Sequence, residues 1–339
     1  MTTLLASTRP APVRVPGAAL GLARSVVRLH RSALWFWLLL MVALAATMLW
    51  AYGPGYGTAS ADVQDQCRRD IEACHFPGGP WLSRYSTAVA LTTLVVAFLP
   101  LLVAAWAGAA LVGRELENGT AHLAWTQSVS PARWLAAKLA VPALLVSVGT
   151  ALLIPLHRLM WDGGENLLWT DWFDAYGFRS NGTVAVAYAL CGLAVGVLAG
   201  LVTGRTLPAL GVAVAVMFAI THLGDQYRPS MWPTVTVTGA ASLSLPDKAL
   251  QLDRGVITDE GVRIGNNMAC TTADSSVADL RSCLAHNDLA DVWATYHPQS
   301  HFWPLQLTET GIVLAVAALA ATASFVLLRR RTAASGAAV

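Results

Sequence analysis

Six apolar runs divide the chain, at 33–52, 86–112, 134–156, 183–203, 207–223 and 310–328. Each is close to the roughly 20 residues that a helix needs to cross the hydrocarbon core of a bilayer. Lipid offers no partner to a free N–H or C=O, so runs of this kind predict helices, which satisfy their own backbone. Pro100, Pro142 and Pro155 lie inside the second and third runs. Membrane helices tolerate such prolines where neighbours satisfy the freed carbonyl. In the fourth run Gly192, Gly196 and Gly200 are four apart, the small-x3-small spacing of closely packed helices.

The polar intervals carry the topology. Residues 1–16 hold Arg9, Arg14 and three prolines and read as a tail. In 17–32, Arg24, Arg28 and Arg31 share one helical face, with Leu22, Val26, Leu29 and Ala33 opposite. That is an interfacial amphipathic helix with its basic side on lipid headgroups, or simply the basic flank of the first span. Placing both ends inside puts 12 of the 22 Lys and Arg in the tails (1–32 and 329–339), the 114–133 interval with Lys138, and the turn at Arg205. The same segments hold only two of the 20 acids, Glu115 and Glu117. Basic residues near span ends mark the cytoplasmic side. The expected domain, 33–328, therefore has extracellular loops at 53–85, 157–182 and 224–309. In the last loop, Val256 to Ile264 reads as a β-hairpin around Asp259-Glu260-Gly261.

Composition agrees. Of 339 residues 55% are hydrophobic and 12% charged, against about 25% charged in soluble domains. The net charge of +2 selects no partner, and nothing points to nucleic acid. There is no Gly-x4-Gly-Lys phosphate loop, no His-Glu-x-x-His and no Gly-x-Ser-x-Gly elbow. No cofactor, metal or catalytic set is therefore expected on this chain, and the histidines read as interfacial or solvated. Cys67, Cys74, Cys270 and Cys283 fall in outer loops, where disulfides persist. Three pairings are possible. Local closure, Cys67–Cys74 and Cys270–Cys283, costs the least chain entropy. Against it, Val63, Cys67, Ile71 and Cys74 line one face of a possible helix, which would hold Cys67 and Cys74 about 10.5 Å apart along its axis.

The interval from Arg114 to Lys138 is a polar island with its own order. It has two acids, an Asn118-Gly119 turn, a short helix from Thr120 through Trp125, and a new helix start. At that start Ser130 caps and Pro131 takes the first position. Gly119 is the expected left-handed residue that ends the second span's extension. Acids at a helix C-terminus oppose the dipole, so Glu115 and Glu117 require a basic partner, on Arg114, on Arg133 or on another protein. Trp125 is either an interface anchor or a plug for a partner's pocket.

Glu115-x-Glu117-x-Gly119-Thr120, Leu123-x-Trp125-Thr126-Gln127-Ser128-x-Ser130 and Arg133-Trp134-Leu135 with Lys138 resemble the coupling segment of type-2 ATP-binding-cassette (ABC) exporter permeases. The actinobacterial branch is most similar. Trp293, Tyr296, Pro298, Phe302-Trp303, Gln306 and Glu309, before the last span, resemble the same branch, with His301 where an arginine is frequent. The resemblance implies an all-α integral membrane protein: six transmembrane helices, an N-terminal interfacial helix, a cytoplasmic coupling helix and a large extracellular loop before the last span. It implies an ATPase-coupling set of Glu115, Glu117, Asn118, Gly119, Thr120, Trp125, Gln127, Ser130 and Arg133. It also implies a separate ATPase subunit that carries ATP and Mg, a second permease copy, and an outer re-entrant or interface segment over 293–309. The other class of reading is a membrane-anchored assembly or sensing protein that works through its large outer loop.

Overall fold

The computed structural model of the chain describes residues 21, 26–69, 74, 77–126, 129–267, 269–270 and 277–336. The tails at 1–16 and 337–339, Leu22, Arg24, Gln127 and Ser128 lie outside the described residues. Six helices are long and apolar enough to cross a membrane: Arg31–Arg69, Pro80–Glu117, Pro131–Leu168, Val184–Thr203, Thr206–Ser230 and Gln299–Ala333. The chain is a multi-pass membrane protein with an all-α membrane part.

The fourth span is the hub, buried along most of its length with the second, third, fifth and sixth around it. Its glycines show why. A Cβ on Gly192, Gly196 or Gly200 would lie 2.3, 2.4 or 2.9 Å from the carbonyl oxygen of Pro100, Ala104 or Gly108. The small-x3-small line is therefore a backbone-to-backbone contact with the second span. That span ends in a π-helical stretch, Ala107–Gly113, that leads directly into the polar island. The first span is the least buried of the six and meets the second and third through Leu44, Met48 and Ala51.

Several helices outrun their apolar runs. The first passes Pro54 as the π-helical stretch Ala51–Gly55 and continues as Tyr56–Arg69, the third reaches Leu168, and the last starts at Phe302. The loops expected at 53–85 and 157–182 are thus largely helix. Hydropathy registers only the length that needs lipid. The extensions are held by their own packing, with Ala59, Leu82, Tyr85 and Met160 in one cluster.

The 224–309 segment carries a four-stranded antiparallel sheet in the order β1-β4-β2-β3, with β1 Val235–Thr238, β2 Leu250–Thr258, β3 Arg263–Gly265 and β4 Leu289–His297. The hairpin pairs Val256 with Ile264 and turns at Gly261, φ +81°. A helix, Val277–His286, packs Leu280 and Leu284 onto Val256 and Val292. The aromatic stretch 293–309 is thus not one re-entrant or interface segment. Trp293 and Tyr296 belong to β4, and Phe302 and Trp303 open the last helix.

Disulfides join Cys67 to Cys74 and Cys270 to Cys283. The Cα atoms of the first pair come to 4.9 Å, closer than one continuous helix through both would hold them; the described helix is Tyr56–Arg69, and Ile71 lies outside the described residues.

The island, the turn at Arg205 and the end of the last helix share one end of the bundle. There Glu117 meets Thr206, and an Arg331 Nη donates to the Val202 carbonyl at 3.0 Å. The sheet lies at the other end, tied to the third span by the Lys248–Glu165 ion pair and to the segment after that span by Trp172 Nε1 donating to the Lys248 carbonyl at 2.7 Å. Residues 26–29 are helical and break at His30 before the first span. Arg28 and Arg31 are exposed and Val26 is buried. Leu29, expected on the apolar face, is exposed; it lines a cleft instead.

Candidate functional site

The polar island folds as two short helices, Arg114–Glu117 and Thr120–Thr126, and the start of the third span. Gly119 separates the first two at φ +70°, a region that glycine enters without Cβ strain. Thr120 does not cap the second helix. Its hydroxyl donates to the Glu115 carbonyl at 3.2 Å, and so closes off the end of the first. Ser130 caps the third span, its Oγ accepting from Arg133 N at 3.4 Å with Pro131 at the first position.

Each of the two acids is tied to a different span. Glu115 accepts Trp134 Nε1 at 3.2 Å and pairs with the Lys138 ammonium, both on the third span. Lys138 is only 3% exposed, so its charge is balanced inside the fold. Lys138 Nζ also lies 3.3 Å from His30 Nε2. Burial, and then the Lys138 charge, pushes His30 down to about 4. The ring is therefore neutral at pH 7 and can accept from the ammonium. Glu117 accepts from the Thr206 backbone N–H at 2.9 Å and from its hydroxyl at 2.5 Å. The orphan N–H groups at a helix start attract a carboxylate, so Glu117 caps the fifth span from a distant part of the chain. The basic partner required by Glu115 is Lys138, not Arg114 or Arg133, which are both exposed.

The helix Thr120–Thr126 has an inner and an outer face. Ala121 is fully buried, and Ala124 and Trp125 pack beside it in a cluster with Leu111, Trp134 and Leu201. The Trp125 and Trp134 rings meet edge to face at 5.7 Å. Trp125 therefore faces the bundle and serves neither as an interface anchor nor as an outward plug. The outer face carries His122 and Leu123, the latter 58% exposed. Asn118, Ser130 and Arg133 are exposed around it. The signal for Leu123 was in the sequence: with Ala121, Ala124 and Trp125 inward at i, i+3 and i+4, residue 123 faces outward.

At the opposite end the bundle buries a charge cluster. Glu309, fully buried, accepts from Arg228 Nε at 2.7 Å, from an Arg228 Nη at 3.1 Å and from the Tyr188 hydroxyl at 2.8 Å. Arg228 also pairs with Asp225 at 2.8 Å, and Arg179 reaches Asp225 at 3.4 Å. The Arg228 guanidinium lies over the Phe178 ring, 4.2 Å from its centroid. Next to it Gln306 accepts from Val184 N at 3.2 Å and donates to the Phe178 carbonyl at 2.6 Å. Gln306 and Glu309, picked from the sequence by resemblance, thus bind the fourth, fifth and sixth spans together. Sequence reading missed Arg228 and Arg179; the pointer was an arginine just past an apolar run that faces an acid just before another. His157, expected in an outer loop, is fully buried in the extended third helix, with Thr93 Oγ1 at 2.9 Å and Asn181 Oδ1 at 2.6 Å.

Among the described residues no group of His, Cys, Asp and Glu could hold a metal ion. The model of the family described as "ABC-2 membrane transporter related" matches residues 38–227. That range takes in five spans, the island, and Arg179 and Asp225 of the charge cluster. No curated protein and no solved structure matches the chain. With more than half of its length matched, the chain belongs to the ABC-2 membrane transporter-related family and is a permease-type transport subunit rather than an enzyme.

Proposed function

We propose that this chain is the membrane subunit of a bacterial ABC exporter of the actinobacterial branch, driven by ATP and Mg held on a separate ATPase subunit. Two permease copies pair in the plasma membrane with both termini, the island and Arg205 in the cytoplasm; the sheet is outside. The 114–133 elbow is the coupling element. The observation that carries this reading is the double anchorage of the elbow. Glu115 ties it to the third span and Glu117 to the fifth, while Leu123 is left facing outward. A body that pushes on the elbow moves both spans. ATP closes the ATPase dimer, the elbows follow, and the spans shift between inward- and outward-facing populations. The work done by this chain is conformational, and no bond is made or broken on it.

The test is co-purification with the candidate ATPase and ATP hydrolysis in nanodiscs, for the parent, Gly119→Val and Leu123→Asp. Gly119 has open space around it, so Val strains only the backbone, by about 1–2 kcal/mol, and re-aims the short helix. Leu123→Asp puts a charge where an apolar contact is expected and should weaken ATPase binding at least about tenfold, or ~1.4 kcal/mol. Neither change touches a span, so insertion and elution profile should match the parent. Parental ATPase binding and hydrolysis in both variants would remove the elbow from the coupling path.

A further inference from the structure

The N-terminal turn, the elbow and the start of the third span enclose a cleft of about 1070 Å³ at the elbow end. A narrower apolar limb of about 210 Å³ runs on from it between the first span and the second and third. The two share Val26, His30, Ala33, Phe36 and Trp106. They adjoin along these shared residues and differ in chemistry. Trp37, Leu99, Val103 and Pro142 wall the limb. Phe36, Leu102 and Leu145, also on its wall, are partly exposed on the lipid-facing side, so the limb opens toward the bilayer. The wide end is polar. Arg114, Asn118 and Thr120 of the elbow line it, with the Lys138–Glu115 pair and His30. Lys138 and Glu115 cancel, His30 is neutral at pH 7, and Arg114 leaves that lining one positive charge in excess. Arg28 and Arg31 stand exposed on the adjoining turn.

We infer that this cleft is a binding site for one anionic phospholipid. One acyl chain lies in the apolar limb, the other stays in the bilayer, and the phosphate sits between Arg114 and the side-chain amide of Asn118. A soluble anion would leave the limb unfilled, and a zwitterionic lipid, whose choline offsets its own phosphate, would leave the lining's excess positive charge uncompensated. Because the polar wall is the elbow itself, the headgroup braces the coupling element against the N-terminal turn. Lipid binding stands whether or not the elbow touches an ATPase.

The experiment is native mass spectrometry of the permease released from nanodiscs that contain equal amounts of phosphatidylglycerol and phosphatidylcholine. The parent should retain one phosphatidylglycerol per chain in preference to phosphatidylcholine. Arg114→Gln should lower that retention roughly fivefold, the effect of one arginine near an anionic surface. Ala33→Trp, which fills the junction of the two limbs, should abolish retention of both lipids while leaving the elution profile unchanged. If Ala33→Trp does not fold, Arg114→Gln decides alone. Equal retention of the two lipids by the parent overturns the site. So does parental phosphatidylglycerol retention in Arg114→Gln, or a parent that retains neither lipid.

Discussion

Arg228→Leu should cost the permease about 3–5 kcal/mol, the range for breaking a buried ion pair from one side. Glu309 has no exposed surface and three of its contacts come from Arg228 and Tyr188. Removing the guanidinium leaves a carboxylate with one hydroxyl donor in a site that water does not reach. Arg179 cannot take over, because its partner is Asp225. The double variant Arg228→Leu/Glu309→Leu removes both charges and should recover most of the loss, since a buried pair replaced by apolar groups is often close to neutral. Thermal unfolding in detergent reads this directly. Arg228→Leu should lower the midpoint strongly, and the double variant should return near the parent. Additive losses would mean that the two residues do not act as a pair.

Gly196→Ala should have the second large effect, although it adds one methyl group. The new Cβ would lie 2.4 Å from the Ala104 carbonyl oxygen, 2.8 Å from the Ala107 Cβ and 3.0 Å from the Gly108 nitrogen. Two of these are backbone atoms and cannot rotate away, so the second and fourth spans must part. Overpacking of a core costs about 1–3 kcal/mol, and a clash with main chain belongs at the upper end. The effect also reaches the elbow, because the second span runs without a break into it. Gly211→Ala, on the fifth span, is the control: nothing lies within 4 Å of its Cβ position, and it should leave the melting midpoint unchanged. Equal behaviour of the two variants would contradict the close approach of the second and fourth spans.

Much of the membrane part was legible because lipid imposes one rule, that long apolar runs become helices. The six spans, the glycine line of the fourth span and the Gly119 turn all follow from local sequence. The helix extensions past Tyr52 and Leu156 were not legible, because they are held by contacts between distant segments, such as Tyr56 against Tyr85. The same holds for β1 and β4, whose pairing closes most of the 224–309 segment. At the elbow the sequence showed which residues matter better than what they touch. A basic partner is expected for both acids; Glu115 has one in Lys138, 23 residues away, but Glu117 is held by the N–H and hydroxyl of Thr206, 89 residues away. Trp125 reads in the sequence as either an interface anchor or a plug for a partner's pocket, and it is neither. The inward packing of Ala121 and Ala124 decides its direction.

The central claim is that the outward face of the elbow touches the ATPase, and a site-directed cross-link tests it most directly. Cys191 is buried and the other four cysteines are paired in disulfides, so Leu123→Cys supplies the accessible thiol. In the purified complex a short thiol-to-amine cross-linker should join residue 123 to the ATPase. Ala121→Cys, on the buried face of the same helix, should give no product. A complex that retains its ATPase while residue 123 forms no cross-link to it would contradict the account.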